Sequence, residues 1–106
     1  MNILDKKNYY NSLFDYYGKL LTPKQQEYFK NYYFEDLSLA EIANIHDVSR
    51  NAIHDQLNKI YQILDNYEEK LQLHAKSIKL NEIIDEFSKI DDENIKRMIA
   101  KIRSVE

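Results

Sequence analysis

Ser38 and Ser49, each placed to cap a helix within one short run, constrain this chain more than any other feature. The run is Leu37 to Leu64, LSLAEIANIHDVSRNAIHDQLNKIYQIL. Ser38 and Glu41 stand three apart, so the hydroxyl can accept from the third amide while the carboxylate reaches back to the first. A short helix from Leu39 to about Ile45 then buries Ile42 and Ala43. His46, Asp47 and Val48 form a turn, with Val48 as the apolar residue that docks it. Ser49 opens a second helix with Arg50, Asn51 and His54 pointing outward and Ile53 and Leu57 inward. Two short-turn helices with these caps and this apolar spacing make a helix-turn-helix over residues 38–60, the unit that sets a recognition helix in a DNA groove. The pattern specifies the fold; it does not by itself specify DNA as the ligand.

The second helix does not stop where a recognition helix would. Ile53, Leu57, Ile60, Leu64, Tyr67 and Leu71 recur at alternating intervals of four and three, a seam with a period of 3.5. No Gly or Pro interrupts it. Carried to about Leu73, the helix would be roughly 37 Å long at about 1.5 Å per residue. Either the C-terminal segment folds back over the second half of the seam, at Ile60, Leu64, Tyr67 and Leu71, or a partner chain covers it. An uncovered seam of this length would be an apolar patch of the kind soluble monomers avoid, so a homodimer is expected.

Upstream, Tyr10, Leu13, Phe14, Tyr17 and Leu21 recur at helical spacing between Asp5 and Leu21, and Tyr9, Tyr16 and Leu20 widen the stripe. A face so broad should be buried on more than one side. Thr22-Pro23-Lys24-Gln25 is a further start signal, with Thr as cap, Pro at the first helical position and Gln at the third. After Lys76, Ile78, Leu80, Ile83, Ile84, Phe87 and Ile90 mark another amphipathic helix. Asp91-Asp92-Glu93 then opens a last one, carrying Ile95, Met98, Ile99 and Ile102. The expectation is an all-α protein of about six helices, read as one domain over 1–106. Its helical extension at 76–104 packs back on the long central helix.

Composition supports that reading and narrows the function. One Gly and one Pro in 106 residues leave almost nowhere for tight β-turns or a phosphate-cradling glycine loop. No apolar run approaches the roughly 18 residues of a membrane span, so no membrane insertion is expected. The N-terminus MNILDKKNYYNSL lacks the basic start and apolar stretch of a secretory signal. Cysteine is absent, which suits a reducing, cytoplasmic setting. The net charge of −3 argues against strong nucleic-acid affinity, which comes mainly from neutralising phosphates. Arg50, Asp55 and Lys59 leave the recognition helix itself only weakly positive.

No constellation points to catalysis or to a cofactor. His46, His54 and His74 are too scattered to hold a metal by spacing and read as solvated or capping residues. Seven of the nine tyrosines precede residue 34. They sit at helical spacing and read as packing residues rather than as a base-stacking platform. Lys96, Arg97, Lys101 and Arg103 give the last helix a basic face, partly offset by Glu93 four residues before Arg97. If nucleic acid is bound, the candidate residues are Ser49, Arg50, Asn51, His54 and Lys59, the last against a phosphate.

The run LLTPKQQEYFKNYYFEDLSLAEIANIHDVSRNAIHDQLNKI resembles region 4 of bacterial sigma factors, which reads promoter DNA. The whole chain more closely resembles the small bacterial YlxM (p13-like) helix-turn-helix family. The shared features are the LLT-x-KQ opening, the paired aromatics, LSLAEIA, VSR-x-A, Glu69-Lys70-Leu71 and the tail Asp85-Glu86-Phe87. The chain departs from that pattern at Asp47, where Gly is frequent, at Asn58-Lys59, where two basic residues are usual, and at His54, where an aromatic is common. The resemblance implies a non-enzymatic regulatory protein of the signal recognition particle pathway, since members are typically encoded beside the genes for that particle's GTPase and its receptor. It names the GTPase or its RNA as partners. A sequence-specific DNA-binding regulator and an RNA-binding accessory protein are the alternatives.

Overall fold

The computed structural model describes residues 2–106. It contains six α-helices and, among the described residues, no strand: α1 Ile3–Tyr17, α2 Pro23–Tyr33, α3 Leu39–His46, α4 Arg50–Leu71, α5 Leu73–Ser88 and α6 Glu93–Ser104. A 3₁₀ turn, Gly18–Leu20, prolongs α1. The described residues group into two compact units, the first ending at Gln72 and the second spanning Leu73–Glu106.

The starts are set by local chemistry. Thr22 Oγ1 accepts from the Gln25 amide at 3.1 Å, and Gln25 Oε1 accepts from the Thr22 amide at 3.1 Å. Ser38 and Glu41 make the same reciprocal pair, again at 3.1 Å each way. Each box satisfies two amides that a helix start leaves without partners. Ser49 Oγ accepts from the Ala52 amide at 3.0 Å, and Asp92 Oδ1 accepts from Asn94 and Ile95 at 2.8 and 3.1 Å.

The left-handed positions after the helices are filled without glycine. Asp36, Asp47 and Gln72 all adopt left-handed backbone, at φ of 56°, 54° and 56°. At Asp47 the amide of Val48 donates to the Ala43 carbonyl at 3.0 Å and that of Asp47 to Asn44 at 3.4 Å, closing α3. Val48 therefore closes the turn through its backbone; its side chain is substantially exposed, contrary to the docking role read from sequence. Gln72 alone separates α4 from α5, so the C-terminal extension starts at Leu73 and not at 76. The one glycine serves another purpose. A Cβ at Gly18 would lie 2.8 Å from the Phe14 ring, which needs that space to lie flat on Phe29.

One core fills the first unit. Leu13, Tyr17, Leu21, Tyr28, Phe29, Ile42, Ala43, Ile53, Leu57, Ile60 and Leu64 are buried together. Each large aliphatic or aromatic side chain among them contributes roughly 1.5–3 kcal/mol by leaving water. α1, α2 and α3 all pack on α4, and α1 runs parallel to its second half. α1 is not buried as broadly as its stripe suggests, because Tyr16 and Leu20 face solvent. Ala43 sits where α3 meets the core, and its small side chain lets the turn close. Ala43→Leu is expected to lower stability by about 1–3 kcal/mol through overpacking, read as a reduced urea midpoint.

In the second unit α5 and α6 pack on each other as a helical hairpin. Ile84 is buried, and Ile95, Ile99 and Ile102 are half-buried. Lys96 lies 2.8 Å from Asp91 and 3.5 Å from Glu93, so Glu93 pairs with Lys96 and not with Arg97, while Arg97 takes Asn94.

Candidate nucleic-acid interface

α3 and α4 form the helix-turn-helix, and α4 presents its first two turns to solvent. Arg50, Asn51, His54 and Lys59 are all exposed, and Ile53 and Leu57 are buried. Ser49 is exposed too, but its hydroxyl is occupied by the cap to Ala52. At about 100° per residue, Lys59 lies about half a turn round the helix from Arg50, so the two cations face opposite sides. Asp55 stands between them, near the middle of the outward arc, with its side chain 75 % exposed. Its carboxylate lies 3.7 Å from His54 Nδ1. With Asp47 exposed in the turn, Arg50 and Lys59 are balanced by two carboxylates. A phosphate approaching this face meets attraction at its edges and repulsion at its centre.

The seam residues divide. Ile60 and Leu64 are fully buried in the first unit's own core, covered by α1, and are not available to a partner chain. Tyr67 is half-buried, its ring stacked on Tyr17 at 5.8 Å. Only Leu71, 46 % exposed at the end of α4, faces solvent. The tyrosines explain this. Tyr17 donates to Glu68 Oε1 at 2.7 Å inside the core, and Tyr10 donates to Asp65 at 2.8 Å. These bonds attach α1 to the part of α4 that sequence alone leaves bare.

The other aromatics pack as expected. Phe14, Phe29 and Tyr33 form a three-ring stack with centroid spacings of 4.2 and 4.1 Å, and Tyr33 donates to the Tyr61 hydroxyl at 3.0 Å. His46 is neither solvated nor a simple cap. Its Nε2 lies 2.8 Å from Asn31 Oδ1, and its ring meets Tyr28 edge-on, tying the end of α3 to α2. No cluster of three or more metal-ligating side chains occurs among the described residues.

Burial, and next the bond to Asp65, raises the Tyr10 phenol above its ordinary range; burial and the bond to Tyr61 do the same for Tyr33. A phenol raised in the folded state stabilises fully below its unfolded value of about 10, and that contribution is lost as pH climbs above it. Urea midpoints are therefore expected to hold steady up to about pH 10 and to fall beyond it. The fall should be shallower in Tyr33→Phe.

Such a structure defines a helix-turn-helix protein, with its recognition helix extended into a long core helix. A family model described as "Putative helix-turn-helix protein, YlxM / p13 like", UPF0122, matches residues 4–105, and the chain belongs to that family. A UPF0122 protein of Oceanobacillus iheyensis is 37% identical over 105 residues, covering 98% of this chain and 100% of the relative. Another, from Halalkalibacterium halodurans, is 46% identical over 90 residues, covering 85% and 83%. A third, from Streptococcus thermophilus, is 38% identical with 97% and 96% covered. No helix among the described residues is long and apolar enough to cross a membrane.

Proposed function

We propose that this chain is a non-catalytic, cytoplasmic regulatory protein of the signal recognition particle pathway, whose helix-turn-helix docks a protein or ribonucleoprotein instead of reading an operator. The observation that carries the docking role is Asp55, exposed at the centre of the recognition helix between Arg50 and Lys59. A duplex reader gains most of its affinity from phosphates, and a carboxylate in that place opposes them. The same face suits a basic protein surface or a partner that offers its own cations. The pathway itself rests on the resemblance given above, which implies members encoded beside the particle's GTPase and receptor genes. A homodimer belongs to this reading, with Leu71 as the seam residue left for a partner chain.

The test is direct. With the GTPase and RNA of the same organism, the purified protein should associate with one of them or change the rate of GTP hydrolysis. Neither binding nor a rate change would remove the pathway.

A second reading, a sequence-specific DNA-binding regulator, is favoured by the Ser49-capped recognition helix and its exposed Arg50, Asn51 and His54. On that reading Arg50→Ala abolishes specific binding, whereas Lys59→Ala weakens all sequences alike and lowers the salt slope by about 1. The expected result is binding to random duplex weaker than about micromolar at physiological salt. Tight, sequence-selective retention of a duplex would promote this reading over the first.

A further inference from the structure

On the flank of the first unit, Ile3, Lys6, Lys7, Tyr32, Tyr33 and Tyr61 line a depression of about 250 Å³. Three helices bring them together: α1 supplies the lysines, α2 the tyrosine pair and α4 Tyr61. Lys6 Nζ stands 5.1 Å from the centre of the Tyr61 ring. Lys7 Nζ stands 5.2 and 5.7 Å from those of Tyr32 and Tyr33. Nothing in the sequence spacing suggests this, since the residues lie tens of positions apart. From these contacts we infer that the depression is a site for an unpaired nucleotide of a single-stranded nucleic acid, with the base against the tyrosine rings and the phosphate on Lys6 and Lys7.

The chemistry is that of a stacking platform beside cations. The tyrosine rings are half-buried and braced: Tyr33 lies flat on Phe29, and Tyr61 is held by Tyr10 and by the Tyr33 hydroxyl. A rigid aromatic face costs little to present. The ammonium groups sit at cation–π distance on long flexible stems, so they can swing off the rings onto an arriving anion while a base takes their place. Besides the rings, Lys7 pairs with exposed Asp36 at 3.4 Å, a surface pair that a phosphate readily replaces. A depression of about 250 Å³ has room for a single base. Duplex DNA keeps its bases stacked and cannot enter, which sets this site apart from the groove-reading mode of the recognition helix. Arg50, His54 and Tyr61 lie within about 40° of one another round α4, with Arg50 and Tyr61 about 16 Å apart along it. A folded strand held near the first turns could therefore reach the depression with an unpaired residue. The inference is independent of the pathway proposed above.

Fluorescence anisotropy of the full-length protein with labelled ten-nucleotide strands of oligo(U) and oligo(A), against a duplex of equal length at about 50 mM salt, tests it. Single strands should bind more tightly than duplex, with a log–log salt slope near −1.4 for about two phosphates. Lys6→Gln with Lys7→Gln should weaken binding at least about tenfold and flatten that slope. Tyr32→Ala should weaken it about tenfold. Lys30→Gln, an exposed lysine of α2 outside the depression, should change it less than about twofold. Circular dichroism of each variant checks that the fold is retained. Absence of single-strand binding overturns the inference. So does a loss caused by Arg50→Ala with none from the lysine pair, or displacement by a polyglutamate peptide as readily as by an oligonucleotide.

Discussion

Replacing Leu64 by glutamate is expected to unfold the first unit, not to separate two protomers. Leu64 is 0 % exposed within a single chain, in the same cluster as Leu13 and Tyr17 from α1. A carboxylate there has no cation to meet and no water to hydrate it, so the cost exceeds about 4 kcal/mol. A small domain has only about 5–15 kcal/mol in hand. Far-UV circular dichroism should show the helical signal lost or strongly reduced at 25 °C. A folded monomeric variant of a dimeric wild type would instead make this residue part of an interface and contradict the core described above.

Phe29→Ala should be nearly as damaging. Phe29 is fully buried and lies between two parallel rings, Phe14 at an interplanar angle of 5° and Tyr33 at 8°. Its removal deletes both stacking contacts and opens a void that flat neighbours cannot close, at about 3–5 kcal/mol. Phe29→Leu keeps most of the volume and should recover a large part of that loss. Equal urea midpoints for the two variants would show that the stack itself contributes little.

Much of the architecture was legible because its determinants are local. Thr22 with Gln25, Ser38 with Glu41, and Ser49 ahead of α4 carry their partners within three residues, and each cap forms where the sequence puts it. Inward Ile53 and Leu57 follow from helical periodicity alone, whereas Arg50, about 20° from Leu57 round the helix, is exposed because it opens α4. What spacing could not show was which distant element completes the long helix. The broad face of α1 and the bare seam of α4 each read as unsatisfied, and only the tertiary pairing reveals that they satisfy one another through Ile60 and Leu64. The helix break at Gln72 was displaced by a few residues because it lacks the Gly or Pro that marks such ends. At the candidate interface, the helical wheel already puts Asp55 opposite the buried face of Ile53, Leu57 and Ile60, and the structure adds its 75 % exposure. The cluster of Lys6 and Lys7 with Tyr32, Tyr33 and Tyr61 was hidden for the same reason as the α1–α4 contact.

Branched aliphatics attract without direction, so an interface built from them alone tolerates sliding. The bonds from Tyr10 to Asp65 and from Tyr17 to Glu68 remove that freedom. Shifting α1 along α4 by one helical turn, about 5.4 Å, would break both together and leave Glu68 buried without this donor. Hydrophobic burial supplies the adhesion and two phenols set the register. They make the rear of α4 a fixed mast, so that a push on its far end is carried to the recognition turn as a movement of one rigid body.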